Sequence, residues 1–121
     1  MKRGDPMTDK NTDVSHELNI LLRFRQSRDW SKFHDPKNLA ISLALEASEV
    51  LEIFQWSKSN ELPHEKRDAL QDELADVYAY LLLLAHETNI DLGQAFYRKI
   101  KKNEEKYPVD LCKGSSKKYN E

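Results

Sequence analysis

Asp35-Pro36-Lys37-Asn38-Leu39-Ala40-Ile41-Ser42-Leu43-Ala44-Leu45-Glu46-Ala47-Ser48-Glu49-Val50-Leu51-Glu52-Ile53-Phe54-Gln55-Trp56 is the stretch whose reading decides the fold. Asp35 is a good N-cap, and Pro36 suits the first helical position, where a missing N–H costs nothing. At ~100° per residue, with Glu46 set at zero, Leu39, Leu43, Val50 and Phe54 fall at about +20 to +80° and Ile53 at about −20°. That is one apolar arc of a helix, and Glu46 lies inside it. Glu49 falls at about −60°, between Ile53 and Trp56. Neither acid is on the solvated face.

The same reading extends in both directions. Upstream, Leu18, Leu21, Leu22 and Phe24 stripe a first helix from about Asp13 to Arg28. Asp29 to His34 reads as a loop, and the second helix is expected to run to about Ser57. Beyond the polar connection Lys58 to Pro63, a third helix is expected from His64 to Thr88, followed by a turn at Asn89-Ile90. Asp91 caps a fourth helix, with Gln94 in capping-box spacing, and Pro108 stops it after Tyr107. No strand-like alternation appears. The expectation is an all-α chain, a four-helix antiparallel bundle with short connections. Residues 1–12 are expected as a flexible leader, 13–108 as the helical domain and 109–121 as a polar, basic tail. So small a bundle buries a limited core, and the long apolar stripe of helix three points to a homo-oligomer, a homodimer or homotetramer.

Composition narrows the function. The chain has 121 residues, 39% hydrophobic and 33% charged, with three glycines and four prolines. Those numbers fit one domain and too few turn residues for a β-sandwich or a Gly-rich nucleotide-binding α/β fold. The net charge of −2 argues against a nucleic-acid coat, which carries a strong positive excess. The longest apolar run, Val77 to Ala85, is well short of the ~20 residues a membrane span needs. Met1 to Asn11 holds no apolar signal-peptide core. Cys112 is the single cysteine and can form no internal disulfide, which suits a cytoplasmic protein.

Helix three repeats the oddity of helix two. Leu70, Leu74, Val77, Leu81 and Leu84 form its stripe; with Glu73 at zero they span about +20 to +100°. Glu73 touches that edge, Tyr80 lies beside it, and Asp76 is one step out. Each helix therefore carries an acid pair at i, i+3, projecting from one face next to the core. Uncompensated buried charge is costly, so the acids call for lysines or arginines, protons or a divalent metal. Helix two has bases only near its ends, Lys37 and Lys58. Oxygen-only donors without paired histidines suit Mg²⁺, with Mn²⁺ possible, rather than Zn²⁺. A di-iron bundle would need Glu-x-x-His on core helices; the one such match, Glu61 to His64, contains Pro63.

Glu46-x-x-Glu49 followed by Glu73-x-x-Asp76 resembles the signature of the MazG family of all-α nucleoside triphosphate pyrophosphohydrolases. The likeness extends to Arg28-Asp29-Trp30-Ser31-Lys32-Phe33-His34-Asp35-Pro36-Lys37-Asn38-Leu39, to Glu52-Ile53-Phe54-Gln55-Trp56, to Asp76-Val77-Tyr78-Ala79-Tyr80-Leu81 and to Lys99-Ile100-Lys101-Lys102-Asn103-Glu104-Glu105-Lys106-Tyr107-Pro108. With Ser115-Ser116-Lys117-Lys118-Tyr119 it resembles the dCTP pyrophosphatase-like branch over roughly residues 15–120.

The resemblance implies hydrolysis of a (d)NTP, dCTP or a modified dCTP above all, to the monophosphate and pyrophosphate, in sanitation of the nucleotide pool. It implies that Glu46, Glu49, Glu73 and Asp76 are catalytic and hold Mg²⁺. Trp30 and Trp56 match base-pocket positions, and Tyr80 a position beside the metal; His34 is a further candidate contact. Lys99, Asn103 and Lys106 project from one side of helix four and suit a triphosphate. One position departs: mammalian members of the branch carry a base-pocket histidine nine residues before the tryptophan that Trp30 matches, where this chain has Leu21. That bears on cytosine selection and not on the reaction type. The alternatives are a broad-specificity NTP or dUTP pyrophosphatase of the same family, and a non-catalytic helical module whose acids neutralise basic residues.

Overall fold

A computed structural model describes residues 6–58 and 60–115, with side chains described from Val14 onward. The described residues are all-α, as expected: α1 Pro6–Ser27, α2 Pro36–Phe54, α3 Arg67–Glu87, α4 Leu92–Lys106 and a short α5 Val109–Cys112, with 3₁₀ turns at Ser31–Phe33 and His64–Lys66. The expected leader at residues 1–5 and the end of the tail, 116–121, lie outside the described residues.

Local chemistry explains the boundaries. Asp35 accepts the Asn38 N–H at 2.8 Å, and Asp91 accepts the Gln94 N–H at 3.1 Å, so both expected caps form. α1 starts at Pro6 rather than near Asp13, so residues 6–12, expected as leader, are helical. Nothing after Pro6 breaks a helix, and proline fits its first position. α2 ends at Phe54 instead of Ser57, because the chain tightens: Ser57 N–H donates to Phe54 O at 3.0 Å. α3 is preceded by a 3₁₀ turn where a continuous helix from His64 was expected. Asp29 and Asn89, at φ 55° and 61°, turn the chain after α1 and α3 in the left-handed region that Asp and Asn tolerate best.

The chain divides into two compact units, residues 1–89 and 90–121. In the first, Lys66 Nζ donates to Ile53 O at 3.1 Å, which sets the start of α3 beside the end of α2. Those helices are antiparallel. Tyr78 donates to Glu17 and Arg25 to Glu87; the equal stagger along both helices makes α1 parallel to α3. The second unit is α4 with α5.

Leu39, Leu82, Leu83 and Ala85 are the buried apolar side chains among the described residues. The stripe expected to be the α3 core is split: Leu70, Val77 and Leu84 are half-buried, while Leu74 and Leu81 are exposed. α3 is charged over residues 67–76 and apolar on every side from Val77 to Ala85, so that no single face of its second half is marked as core. On α2, Leu39 is enclosed, yet Ile41, Leu45 (61% exposed) and Leu51 (68%) present an apolar outer face.

Candidate functional site

α2 and α3 bring three of the four expected acids together. Glu46, Glu49 and Glu73 each offer a carboxylate oxygen within 4.8 Å of the others. The i, i+3 spacing puts Glu46 and Glu49 on one α2 face, and antiparallel packing sets Glu73 against them. Glu46 Oε2 and Glu73 Oε2 are buried and have no hydrogen-bond partner. Such orphaned acceptors are costly unless something fills their need. Among the described residues, none of the four acids has a lysine or arginine partner, whereas Arg25 pairs with Glu87 and Lys32 with Asp29. Lys66 lines the adjoining cleft with Glu49, Glu52, Ile53, Ala69 and Glu73, but its ammonium is held by the Ile53 carbonyl.

The electrostatics follow from that crowding. A hydrogen bond to Glu49, loss of water and the charges of Glu49, Asp76 and Glu73 push Glu46 up to about 7. The Glu49 hydrogen bond, with desolvation and neighbouring charge, likewise raises Glu73. Glu49 sits between them and is lowered, because both neighbours donate to it. Three crowded carboxyls, two with orphaned buried oxygens, make a candidate cation site. An all-oxygen donor set with unpartnered buried oxygens fits a hard divalent ion such as Mg²⁺ or Mn²⁺.

Asp76, the fourth expected acid, is outside that trio. It is exposed and one step further along α3, where it borders a cavity of about 270 Å³ lined by Leu21, Phe24, Arg25, Trp30, His34, Asp76, Ala79, Tyr80 and Leu83. This cavity unites three of the expected substrate residues, Trp30, His34 and Tyr80. The caps make it: Asp35 fixes the start of α2, and the loop before it carries Trp30 and His34 back against α1 and α3. Trp30 meets Phe24 edge-on at 5.7 Å between ring centroids, and the Arg28 guanidinium lies 3.7 Å over the Phe24 ring. His34 meets Tyr80 edge-on at 6.3 Å. Desolvation, with the Arg25 charge, lowers the His34 pKa, partly offset by Glu87. His34 is therefore neutral at pH 7.

Sequence reasoning missed Arg25 and Glu87. Arg25 is buried, donates from Nη2 to Glu87 at 2.5 Å, and places Nη1 3.4 Å from His34 Nδ1. A signal was present: on the α1 wheel, Arg25 falls at about −20° from Leu18, inside the apolar stripe. Trp56 stands apart from the cavity, 82% exposed beyond the end of α2. Lys99, Asn103 and Lys106 share one face of α4 in the second unit, with Asn103 half-buried.

The chain is similar to known proteins in sequence and in fold. The sequence model of the MazG-like family matches residues 41–121. dCTP pyrophosphatase 1 of Mus musculus is 43% identical over 103 residues, 81% of this chain and 61% of that protein. The Homo sapiens protein of the same name is 42% identical over 104 residues, with the same coverage. The chain thus spans about 61% of the length of these relatives. A solved pyrophosphatase from Archaeoglobus fulgidus superposes with a TM-score of 0.73 at 39% identity, covering 89% of this chain and 98% of that one.

Proposed function

This chain belongs to the MazG-like family, and on that premise we propose that it is a Mg²⁺-dependent nucleotide pyrophosphohydrolase. It cleaves dCTP or a modified dCTP to the monophosphate and pyrophosphate, and so cleans the nucleotide pool. The observation that carries this is the acid trio: three carboxyls within 4.8 Å, two of their oxygens buried without partners, beside an aromatic cavity. The names of the relatives, dCTP pyrophosphatase 1 and an archaeal pyrophosphatase, support the same reading.

In this reading Glu46, Glu49 and Glu73 hold the metal, with Asp76 completing the set from the cavity side. Bound Mg²⁺ supplies charge to offset the triphosphate and an acidified water as nucleophile. The protein's own groups do the rest. Trp30 and Tyr80 give a base an aromatic wall, and His34, neutral, offers a ring N–H. The family resemblance assigns phosphate binding to Lys99, Asn103 and Lys106 of α4. Trp56 is 82% exposed and does not line the cavity of its own chain, so of the two routes open to it, folding of the loop or a second subunit, we assign it to the pocket of a second subunit. The exposed apolar faces of α2 and α3 fit a homodimer or homotetramer. No helix among the described residues is long and apolar enough to cross a membrane; a lone cysteine and a nucleotide substrate suit a cytoplasmic setting.

The test is a nucleotide panel with Mg²⁺ and product identification. dCTP should give dCMP and pyrophosphate. Appearance of dCDP with orthophosphate would overturn the assignment, and faster turnover of dUTP would move it to the dUTP branch. No nucleotide turnover together with no Mg²⁺-dependent rise in melting temperature would leave a helical binding module.

A further inference from the structure

The Arg25 guanidinium occupies a place that a purely structural tie does not require. It joins α1 to α3 through Glu87, but it also lies in the wall of the cavity that Trp30, His34 and Tyr80 share. It is buried, and burying a charge costs several kcal/mol per ion unless it is paired and hydrogen-bonded. Glu87 neutralises it. His34 Nδ1 accepts from Nη1, which leaves the other ring nitrogen carrying the proton. A guanidinium has five N–H donors in a planar fork, so Glu87 and His34 leave donors over.

We propose that Arg25 is a specificity residue that reads the base, donating from its fixed fork to the adjoining N3 and O2 acceptors of cytosine. The inference rests on the reading of the cavity as the base site. Charge decides between base and phosphate as the Arg25 ligand. With Glu87 already opposite, the pair has little net charge to offer a phosphate, whereas a neutral acceptor edge takes up the spare donors at no cost in charge. Of the wall, Leu21, one turn before Arg25, and Ala79 and Leu83 offer no side-chain acceptor, and its carboxylate, Asp76, is assigned to the metal in the reading above. Trp30 and Tyr80 bring an indole N–H and a phenol O–H. Uracil is the same size, but its N3 carries a hydrogen and would face the guanidinium donor to donor. An arginine fork distinguishes adjacent acceptors in this way in other base recognition.

The experiment compares kcat/KM for dCTP and dUTP, with Mg²⁺, in the full chain and in Arg25→Lys. Lysine keeps the charge toward Glu87 and loses the fork. The dCTP-to-dUTP ratio should fall roughly 5- to 150-fold, the range a good bidentate contact gives. The loss should sit in KM for dCTP, with the melting temperature and the Mg²⁺ midpoint held. Equal losses on both substrates would overturn the inference and leave Arg25 as a tie between helices. Should Arg25→Lys not fold, Glu87→Gln loosens the fork and keeps the arginine; it should lower the ratio by a smaller factor, and an unchanged ratio there overturns the inference as well. If the unaltered protein turns over neither nucleotide, the functional reading fails and this inference with it. If it turns over both and only the ratio stays fixed, the inference fails alone.

Discussion

The acid trio between α2 and α3 and the aromatic cavity between α1 and α3 are two ends of one site, built on opposite terms. At the acid end, Glu46, Glu49 and Glu73 crowd like charges together, and two buried oxygens have no partner. At the aromatic end, the buried polar group is Arg25, and it is met by Glu87 and His34. At one end the acids have no counter-charge; at the other the arginine's charge is already paired, and only neutral donors are left over. The difference teaches which end waits for a metal ion and which waits for a shape. Unsatisfied polar groups are stored at functional sites and are tolerated because the rest of the fold carries them.

The largest effect should come from breaking the acid end. Glu49→Gln removes a proposed metal ligand, and since metal stabilisation of developing charge is worth several kcal/mol, activity should drop by at least ~100-fold. The metal-free protein should melt at nearly the same temperature, because one charge leaves the crowded trio while the amide oxygen can still accept from a neighbouring carboxyl. If the acids were instead paired with basic residues, breaking such a buried pair would cost ~3–5 kcal/mol. A large fall in the melting temperature of metal-free Glu49→Gln would therefore erase the contrast between the two ends.

The aromatic end should respond more gently and only in binding. Trp30→Ala should weaken dCTP binding by ~1–3 kcal/mol, while the Mg²⁺ midpoint stays put, since an indole supplies no ligand oxygen. Trp56→Ala should match it only in an oligomer, because Trp56 is off the cavity of its own chain. Titration of dCTP should also quench tryptophan fluorescence. Unchanged KM in both variants, with folding intact, would make the tryptophans filler and leave the cavity without a ligand.

What could be read in the sequence follows the same division. The acid end was legible because Glu46 and Glu73 violate the helical pattern: charge falls where apolar residues belong, and periodicity exposes it. Both caps were legible because Asp35 with Pro36 and Asp91 with Gln94 are local chemistry. The cavity was legible only in part. Trp30, His34 and Tyr80 came from the family resemblance, whereas Arg25 depends on Glu87, 62 residues away, and no local spacing announces such a pair. The α3 stripe misled for a related reason. From Val77 to Ala85 the helix is apolar on every side and periodicity has no single face to choose, so Leu81 is exposed while Leu82 and Leu83 are enclosed.

Acidity sharpens the comparison further. In the folded chain Glu46 is pushed up to about 7 from 4.5, so the folded state holds a proton that the unfolded state releases. The metal-free protein should lose stability as pH rises through that window. Glu73, also raised, adds to the slope; Glu49, lowered, is ionised in both states across that window and does not enter. Mg²⁺ must displace those protons, so it should raise the melting temperature more at pH 8 than at pH 5.5. Thermal melts across that range with and without Mg²⁺ check it, and an apo melting temperature that climbs between those values would mean the acids are held by cations.

The smallest effect should come from Asp35, which serves the aromatic end without touching a ligand. Its carboxylate accepts the Asn38 N–H and the Asn38 side chain, closing the N-terminus of α2. The loop that ends there carries Trp30 and His34, whereas Glu46 lies three turns further into the helix, beyond the reach of fraying at its end. Asp35→Ala should cost ~1 kcal/mol of stability, the usual worth of an N-cap. KM for dCTP should rise with it, because the loop loses its anchor and the cavity wall loosens. The Mg²⁺ midpoint should not move. Hydrogen exchange would locate the change: faster exchange at the amides of residues 30–38, with those around Glu46 unaltered. Faster exchange along the whole of α2 would instead mean that the two ends form one cooperative element, and that their different terms do not make them separable.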